Sequence, residues 1–213
     1  MTGGGVLQLG VLALQGDFRA HARALAAAGA EGTEVREVRT PEALEDLHGL
    51  VLPGGESTAL LRLMAPLGMG DALHRFCRRG GALFGTCAGL ILLAREVTSP
   101  AQDSLDLLDV TVERNAYGRQ IDSFVSRGSL SLPGRGPEEI EMVFIRAPRI
   151  RRVGAGVQVL GRFGEEPVLV AQGRILAATF HPEMSAPPPG GSAIHRHFLE
   201  LCRETADWRS TPA

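Results

Sequence analysis

The sequence predicts an α/β fold, a mostly parallel sheet with helices on both faces. Three observations carry this. Near-continuous apolar runs stand at residues 7 to 14, 50 to 52 and 82 to 84, each run ends in a glycine-bearing turn, and helical segments alternate with them through the first half. Alternation of that kind implies parallel strands joined by right-handed crossovers. In such sheets functional groups gather at the carboxyl ends of strands. With 213 residues and 44% hydrophobic content the chain can bury one sizeable core, so a single domain over 1–213 is expected, ordered from about 6 to 206.

The first run, LQLGVLAL, reads as a buried strand ending at Gln15-Gly16-Asp17. Asp17 suits the N-cap of a helix over residues 18 to 28, and Gly29 its stop. Residues 33 to 38 alternate as a second strand, and Thr40-Pro41 opens a short helix with proline at its first position. The third strand, 50 to 52, runs into Pro53-Gly54-Gly55-Glu56-Ser57, with helices expected at 58 to 64 and 71 to 78. After the run at 82 to 84 comes an apolar helix, and then the texture changes. Residues 107 to 113, 121 to 125, 140 to 146 and 156 to 163 read as strands with little helix between them, and 168 to 171 with 174 to 180 as a hairpin about Gln172-Gly173. Composition marks 99 to 104 and 131 to 139 as loops and APPPGG at 186 to 191 as a linker. An amphipathic helix from 192 to 206 closes the chain, with frayed residues after it.

Net charge is −2 with both signs mixed along the chain, and nothing in it suggests a nucleic-acid groove or a membrane-binding face. No signal peptide or spanning segment is read, so a cytoplasmic location is expected. Cys77, Cys87 and Cys202 are too few and scattered for a disulfide framework or a metal site, and Cys77 and Cys202 read as core residues. All 22 basic residues are arginine. Without lysine no side chain can form an imine, so imine chemistry would need another polypeptide. Arginine-rich codon usage is the simpler cause of the bias, and the chemical consequence is the same.

Chemistry is concentrated in three strand-end turns. Gly85-Thr86-Cys87-Ala88-Gly89 between a strand and an apolar helix has the form of a nucleophile elbow with cysteine for serine. Glycines two residues either side admit the neighbouring backbone, the helix start favours thiolate, and the Ala88 N–H faces a developing oxyanion. A buried cysteine between packing glycines is the alternative. Ala178-Thr179-Phe180 delivers His181-Pro182-Glu183, in which Glu183 points to the same side as His181 and could fix its tautomer. Gly54-Gly55 could turn a second N–H into the cleft, or the segment could be a plain turn with Ser57 capping the next helix.

LVLPGGEST at 50 to 58, GTCAGLILLA at 85 to 94 and FHPE at 180 to 183 together resemble the class I glutamine amidotransferases. LALQGDF at 12 to 18, DVTVERNAYGRQIDSF at 109 to 124 and VFIRAP at 143 to 148 are similar to the glutaminase subunits of glutamine-dependent pyridoxal 5′-phosphate synthase. The resemblance covers nearly the whole chain. It implies a three-layer, flavodoxin-like sheet, mostly parallel, with an antiparallel hairpin extension. It makes Cys87 the nucleophile, His181 the base and then acid, and Glu183 its orienting partner. Gly55, Glu56, Ser57, Arg114, Ile145 and Arg146 would form the L-glutamine site, with backbone at Gly54, Gly55 and Ala88 as the oxyanion donors. No metal or cofactor is implied. The implied partner is a barrel-shaped synthase that takes up ammonia to build pyridoxal 5′-phosphate, and both hydrolase and lyase classes are expected.

Three departures from the family pattern stand out: Arg19-Ala20-His21, where a glutamate usually precedes the histidine, a longer loop at 131 to 139, and the APPPGG insert. Each could alter docking to the synthase. The Gly54-Gly55 peptide is expected to be misoriented until the synthase binds. A glutaminase serving another acceptor, a non-catalytic regulator, and a cysteine peptidase or γ-glutamyl hydrolase remain as alternatives.

Overall fold

The computed structural model describes residues 6 to 29, 32 to 114, 123 to 185 and 192 to 210, with side chains of the final helix described to residue 204. The first half contains β1 (Leu7–Leu12), α1 (Phe18–Ala28), β2 (Thr33–Val38), β3 (Gly49–Leu52), α2 (Ser57–Met64), α3 (Met69–Arg78), β4 (Ala82–Thr86) and α4 (Ala88–Leu93). Then follow β5 (Ala94–Thr98), β6 (Leu108–Glu113), β7 (Ser123–Leu130), β8 (Glu138–Ile145), β9 (Arg149–Val153), β10 (Gln158–Phe163), β11 (Glu166–Gln172), β12 (Ile175–Ala178) and α5 (Ala193–Ser210).

A nine-stranded sheet has the order β2-β1-β3-β4-β12-β11-β10-β7-β8. The first five strands in that order are mutually parallel, and each later neighbour pairs antiparallel. Strands β3 and β4 are buried at every residue, as strands covered on both faces must be. Alternate side chains accordingly serve two cores. Leu50, Leu52 and Leu83 pack with Leu60, Leu73 and Leu90 of α2, α3 and α4, while Val51, Phe84 and Ala82 pack with Leu25 of α1 and Phe198 of α5. The molecule is therefore three layers deep, with helices covering both faces of the parallel half.

Several local expectations hold and others are corrected. Asp17 caps α1, its Oδ1 accepting from the Ala20 N–H at 3.2 Å. The residue capping α2 is Glu56 rather than Ser57: its carboxylate accepts from the Thr58 and Ala59 N–H groups at 3.1 and 2.7 Å. The 131 to 139 loop is shorter than composition suggests, because Glu138 and Glu139 already pair with Leu130 and Ser129 in the β7–β8 hairpin. A separate sheet of order β5-β6-β9 was not expected from the sequence beyond the strand at 107 to 113. Residues 186 to 191, 121 to 122 and 115 to 120 of RNAYGRQ lie outside the described residues.

Candidate active site

Because β3, β4 and β12 are adjacent and parallel, their carboxyl ends emerge side by side. The turn after β4 carries Cys87, the segment after β3 carries Gly54 and Gly55, and the segment after β12 carries His181 and Glu183. Cys87 has φ 48° and ψ −100°, a conformation that L residues rarely adopt and that marks the sharp strand-to-helix corner. Its N–H donates to the Ala178 carbonyl at 2.8 Å, tying the elbow to β12. Gly89 is obligatory beside it: an added Cβ would lie 2.1 Å from the Leu52 carbonyl oxygen, so the close approach of α4 to β3 needs a hydrogen there.

His181 is fixed through its backbone, whose N–H donates to the Val143 carbonyl on β8 at 2.8 Å. His181 and Cys87 face the same cavity, and Cys87 acts on the ring's charge. On the other side Nδ1 lies 2.7 Å from Glu183 Oε1, and the Glu183 side chain has no solvent exposure. Burial alone would lower the His181 pKa. Hydrogen bonds and charge interactions with Cys87 and Glu183 outweigh it and push the ring up to about 10. Burial likewise works against the Glu183 carboxylate, but His21 and His181 hold it well below the usual carboxylate range.

A cavity of about 210 Å³ opens onto the Cys87 thiol. Gly54, Gly55, Glu56, Ser57, Cys87, Arg114, Ile145, Arg146 and His181 all line it, with Gly16, Asp17 and Ile91 added to the set read from the sequence. Glu183 stands behind His181, outside the lining, and Ala88 is buried at the start of α4. The Cys87 sulfur is 3.8 Å from the Ile145 carbonyl oxygen, so the strand end of β8 closes one wall. Arg146 follows with φ 43°. Gly54 packs against the histidine so closely that a Cβ would be 2.3 Å from His181 Cε1. Arg114, with 14% of its side chain exposed, donates from Nη2 to Thr58 Oγ1 at 3.3 Å and lies 3.6 Å from Glu56 Oε1. Glu56 thus serves as helix cap, ion-pair partner and cavity wall together.

Other residues of the site were not singled out in the sequence. Gln15 Oε1 accepts from the Glu56 N–H at 2.9 Å and holds the glycine segment from below, so the polar residue ending an otherwise apolar strand was the available signal. Gln102 Oε1 accepts from Ser57 Oγ and Thr58 Oγ1 at 2.9 and 3.2 Å, from a stretch that composition marks only as loop. His21 approaches Glu183 from α1, with its Nε2 3.3 Å from Oε2.

Among the described residues no helix is long and apolar enough to cross a membrane. The family model of the SNO glutamine amidotransferases matches residues 11–204. The chain is 50% identical over 92% of its length to a Pelotomaculum thermopropionicum protein named pyridoxal 5′-phosphate synthase subunit PdxT, covering 95% of that protein. A protein of the same name from Thermus thermophilus is 51% identical over 91% of this chain and 96% of its own. A crystal structure described as a glutamine amidotransferase matches with TM-score 0.81 at 48% identity, covering 93% of this chain and 99% of that one. The Thermotoga maritima PurLQS structure, at 17% identity and TM-score 0.67, shares the fold. These likenesses overturn the lyase class expected beside hydrolase, since glutamine amidotransferases open an amide by hydrolysis rather than by elimination. From residue 11 to 204, and at about half identity to its relatives, the chain belongs to the SNO glutamine amidotransferase family.

Proposed function

We propose that this chain, acting as one catalytic unit in the cytoplasm, hydrolyses L-glutamine to L-glutamate and ammonia. The ammonia passes to a separate barrel-shaped synthase subunit that makes pyridoxal 5′-phosphate. The observation that carries the reading is that Cys87 and His181 line one cavity of about 210 Å³, with buried Glu183 behind His181 at 2.7 Å from its Nδ1. The name shared by the relatives supports the choice of acceptor.

In the proposed reaction the Arg114 guanidinium receives the α-carboxylate of glutamine, for which its planar fork is suited. Gly55, Glu56, Ser57, Ile145 and Arg146 form the remaining walls. The Cys87 thiolate adds to the side-chain amide carbon, and backbone N–H groups of Ala88 and of Gly54 or Gly55 take the oxyanion. His181 gives its proton to the departing nitrogen, so ammonia leaves and a γ-glutamyl thioester remains. Neutral His181 then takes a proton from water as it adds to the thioester. Collapse releases glutamate and restores the thiolate–imidazolium pair. Glu183 holds His181 in the tautomer that presents Nε2 to sulfur. No step calls on a metal or cofactor.

The reading includes gating, with the Gly54-Gly55 peptide turned into its donating orientation when the synthase docks. Ammonia release from glutamine by wild type and Cys87→Ala, each with and without the synthase subunit, tests both parts. Release by wild type alone, stronger with synthase, is expected. Equal release with and without synthase removes the gating, and release by Cys87→Ala removes the triad. No release from wild type under any condition favours a non-catalytic regulator or another substrate.

A further inference from the structure

Glu183 is not the end of the line of polar groups. Behind it lie His21 of α1, Thr86 of β4 and His195 of α5, all without solvent exposure. His21 Nε2 is 2.9 Å from Thr86 Oγ1 and 3.3 Å from Glu183 Oε2, and His21 Nδ1 is 3.3 Å from His195 Nε2. Phe84 stands edge-on to both imidazoles, with centroids 6.0 Å from His21 and 5.7 Å from His195. In such apolar surroundings each polar hydrogen needs an acceptor, because a buried donor without one is costly.

One orphan atom fixes where those protons sit. His195 Nδ1 is buried and has no hydrogen-bond partner. An N–H there would point at nothing, so Nδ1 carries the lone pair. Burial holds the His195 pKa down to about 3, so the ring is neutral with its single proton on Nε2. That proton donates to His21 Nδ1, which must therefore accept. The proton of His21 is then on Nε2, directed at Thr86 Oγ1 and the Glu183 carboxylate. The opposite tautomer would set a nitrogen lone pair against Oε2 and force the His195 proton onto its orphan nitrogen.

We propose that His21, locked by His195, is a positioning residue for the triad. Its Nε2–H, hydrogen-bonded to Thr86 Oγ1 and 3.3 Å from Glu183 Oε2, holds the carboxylate so that Oε1 meets His181 Nδ1 at 2.7 Å. The alignment favours Thr86, and Oε2 makes no hydrogen bond of good geometry, so the hold on Oε2 is electrostatic. The effect on catalysis is correspondingly a fraction of what His181 itself contributes. No local sequence pattern gives this arrangement, since His21 and His195 are 174 residues apart.

The kinetic part of the test rests on the glutaminase reading and the spectroscopic part does not. Long-range 1H–15N spectra of the full chain at neutral pH, assigned with His195→Phe and His21→Gln, should show both rings protonated on Nε2. A proton on Nδ1 of either ring overturns the relay. With the synthase present, His21→Leu, close in size but without a donor, should lose roughly tenfold in kcat, a small part of the 10²–10⁴ of general acid–base catalysis. Its KM for glutamine should change less than about twofold. His21→Gln, whose amide can donate from nearly the same place, should recover most of that loss. Equal kcat in the two variants, whether normal or impaired, overturns the positioning role. If wild type releases no ammonia, the glutaminase reading falls while the spectra still decide the proton order.

Discussion

His181 keeps its proton because its contacts with Cys87 and Glu183 outweigh its burial. A ring raised from 6.5 to about 10 is an imidazolium throughout the neutral range, the form that the proposed reaction needs to protonate the leaving nitrogen. The alkaline limb of kcat/KM for ammonia release should therefore lie near pH 10 and not near 7. A pH–rate profile of the assembled enzyme measures it, and an alkaline limb close to the ordinary histidine value would contradict the ion pair. The same shifts set two stability windows. His181 has a folded pKa above its unfolded one, so its contribution is complete below about 6.5 and is lost as pH rises through about 10. Glu183 has the opposite displacement. Its contribution is present above about 4.5 and disappears as pH falls through its lowered folded value. Neutral pH lies inside both windows, where the protonation states that stabilise His181 and Glu183 are also those the proposed chemistry uses.

The elbow is an element-scale device, since Cys87 is placed by how closely α4 can sit on β3. Gly89→Ala would put a methyl 2.1 Å from the Leu52 carbonyl oxygen, a backbone atom with no rotamer to yield. Either α4 lifts or the carboxyl end of β3 moves, and the latter carries Gly54 away from His181. Overpacking of this kind costs about 1–3 kcal/mol, and urea unfolding should show it as a lower midpoint at unchanged m-value. An unshifted midpoint would mean that the contact is looser than it looks. The elements around the elbow were legible because β1, β3 and β4 are apolar on both sides and end in glycine turns. Strands β5 and β9, AREVT and RIRRV, were not. Their polarity is satisfied across the small sheet and its surroundings, with Arg95 3.0 Å from Asp109 and Arg149 3.4 Å from Glu166, and such pairing is invisible to local composition. The β7–β8 hairpin hid residues 126 to 130, 138 and 139 in the same way, where Arg127 Nε meets Glu139 Oε2 at 2.9 Å across the strands. At the site, Cys87, His181 and Glu183 could be read from strand-end turns and a two-residue spacing. The supports Gln15, His21 and His195 could not, since their places depend on which distant elements the sheet order brings together.

At the scale of the whole molecule the positive charge is carried by arginine alone. Many of these side chains lie at the surface in pairs such as Arg39 with Glu37 at 2.8 Å and Arg135 with Glu200 at 2.6 Å. Exposed pairs of this kind each contribute between about 0 and 1 kcal/mol, so lysine would have served them nearly as well. The difference is chemical. A guanidinium stays protonated at any physiological pH and forms no imine, whereas lysine loses its proton readily when buried and does. A chain without side-chain amines can stand beside a sugar-processing site and hand over ammonia without capturing carbonyl intermediates itself. In the proposed assembly, every side-chain imine must then reside on the partner. Borohydride reduction of the complex in the presence of glutamine and a phosphorylated sugar, followed by intact-mass analysis of the separated subunits, should add mass to the synthase and leave this chain unchanged. An adduct on this chain, or none on either subunit, would sink that division of labour. In the expected case, Cys87→Ala should still permit the sugar imine on the partner but stop the later steps that consume ammonia, and free ammonia should restore them. Trapping with and without added ammonia would thereby separate the two chemistries by subunit.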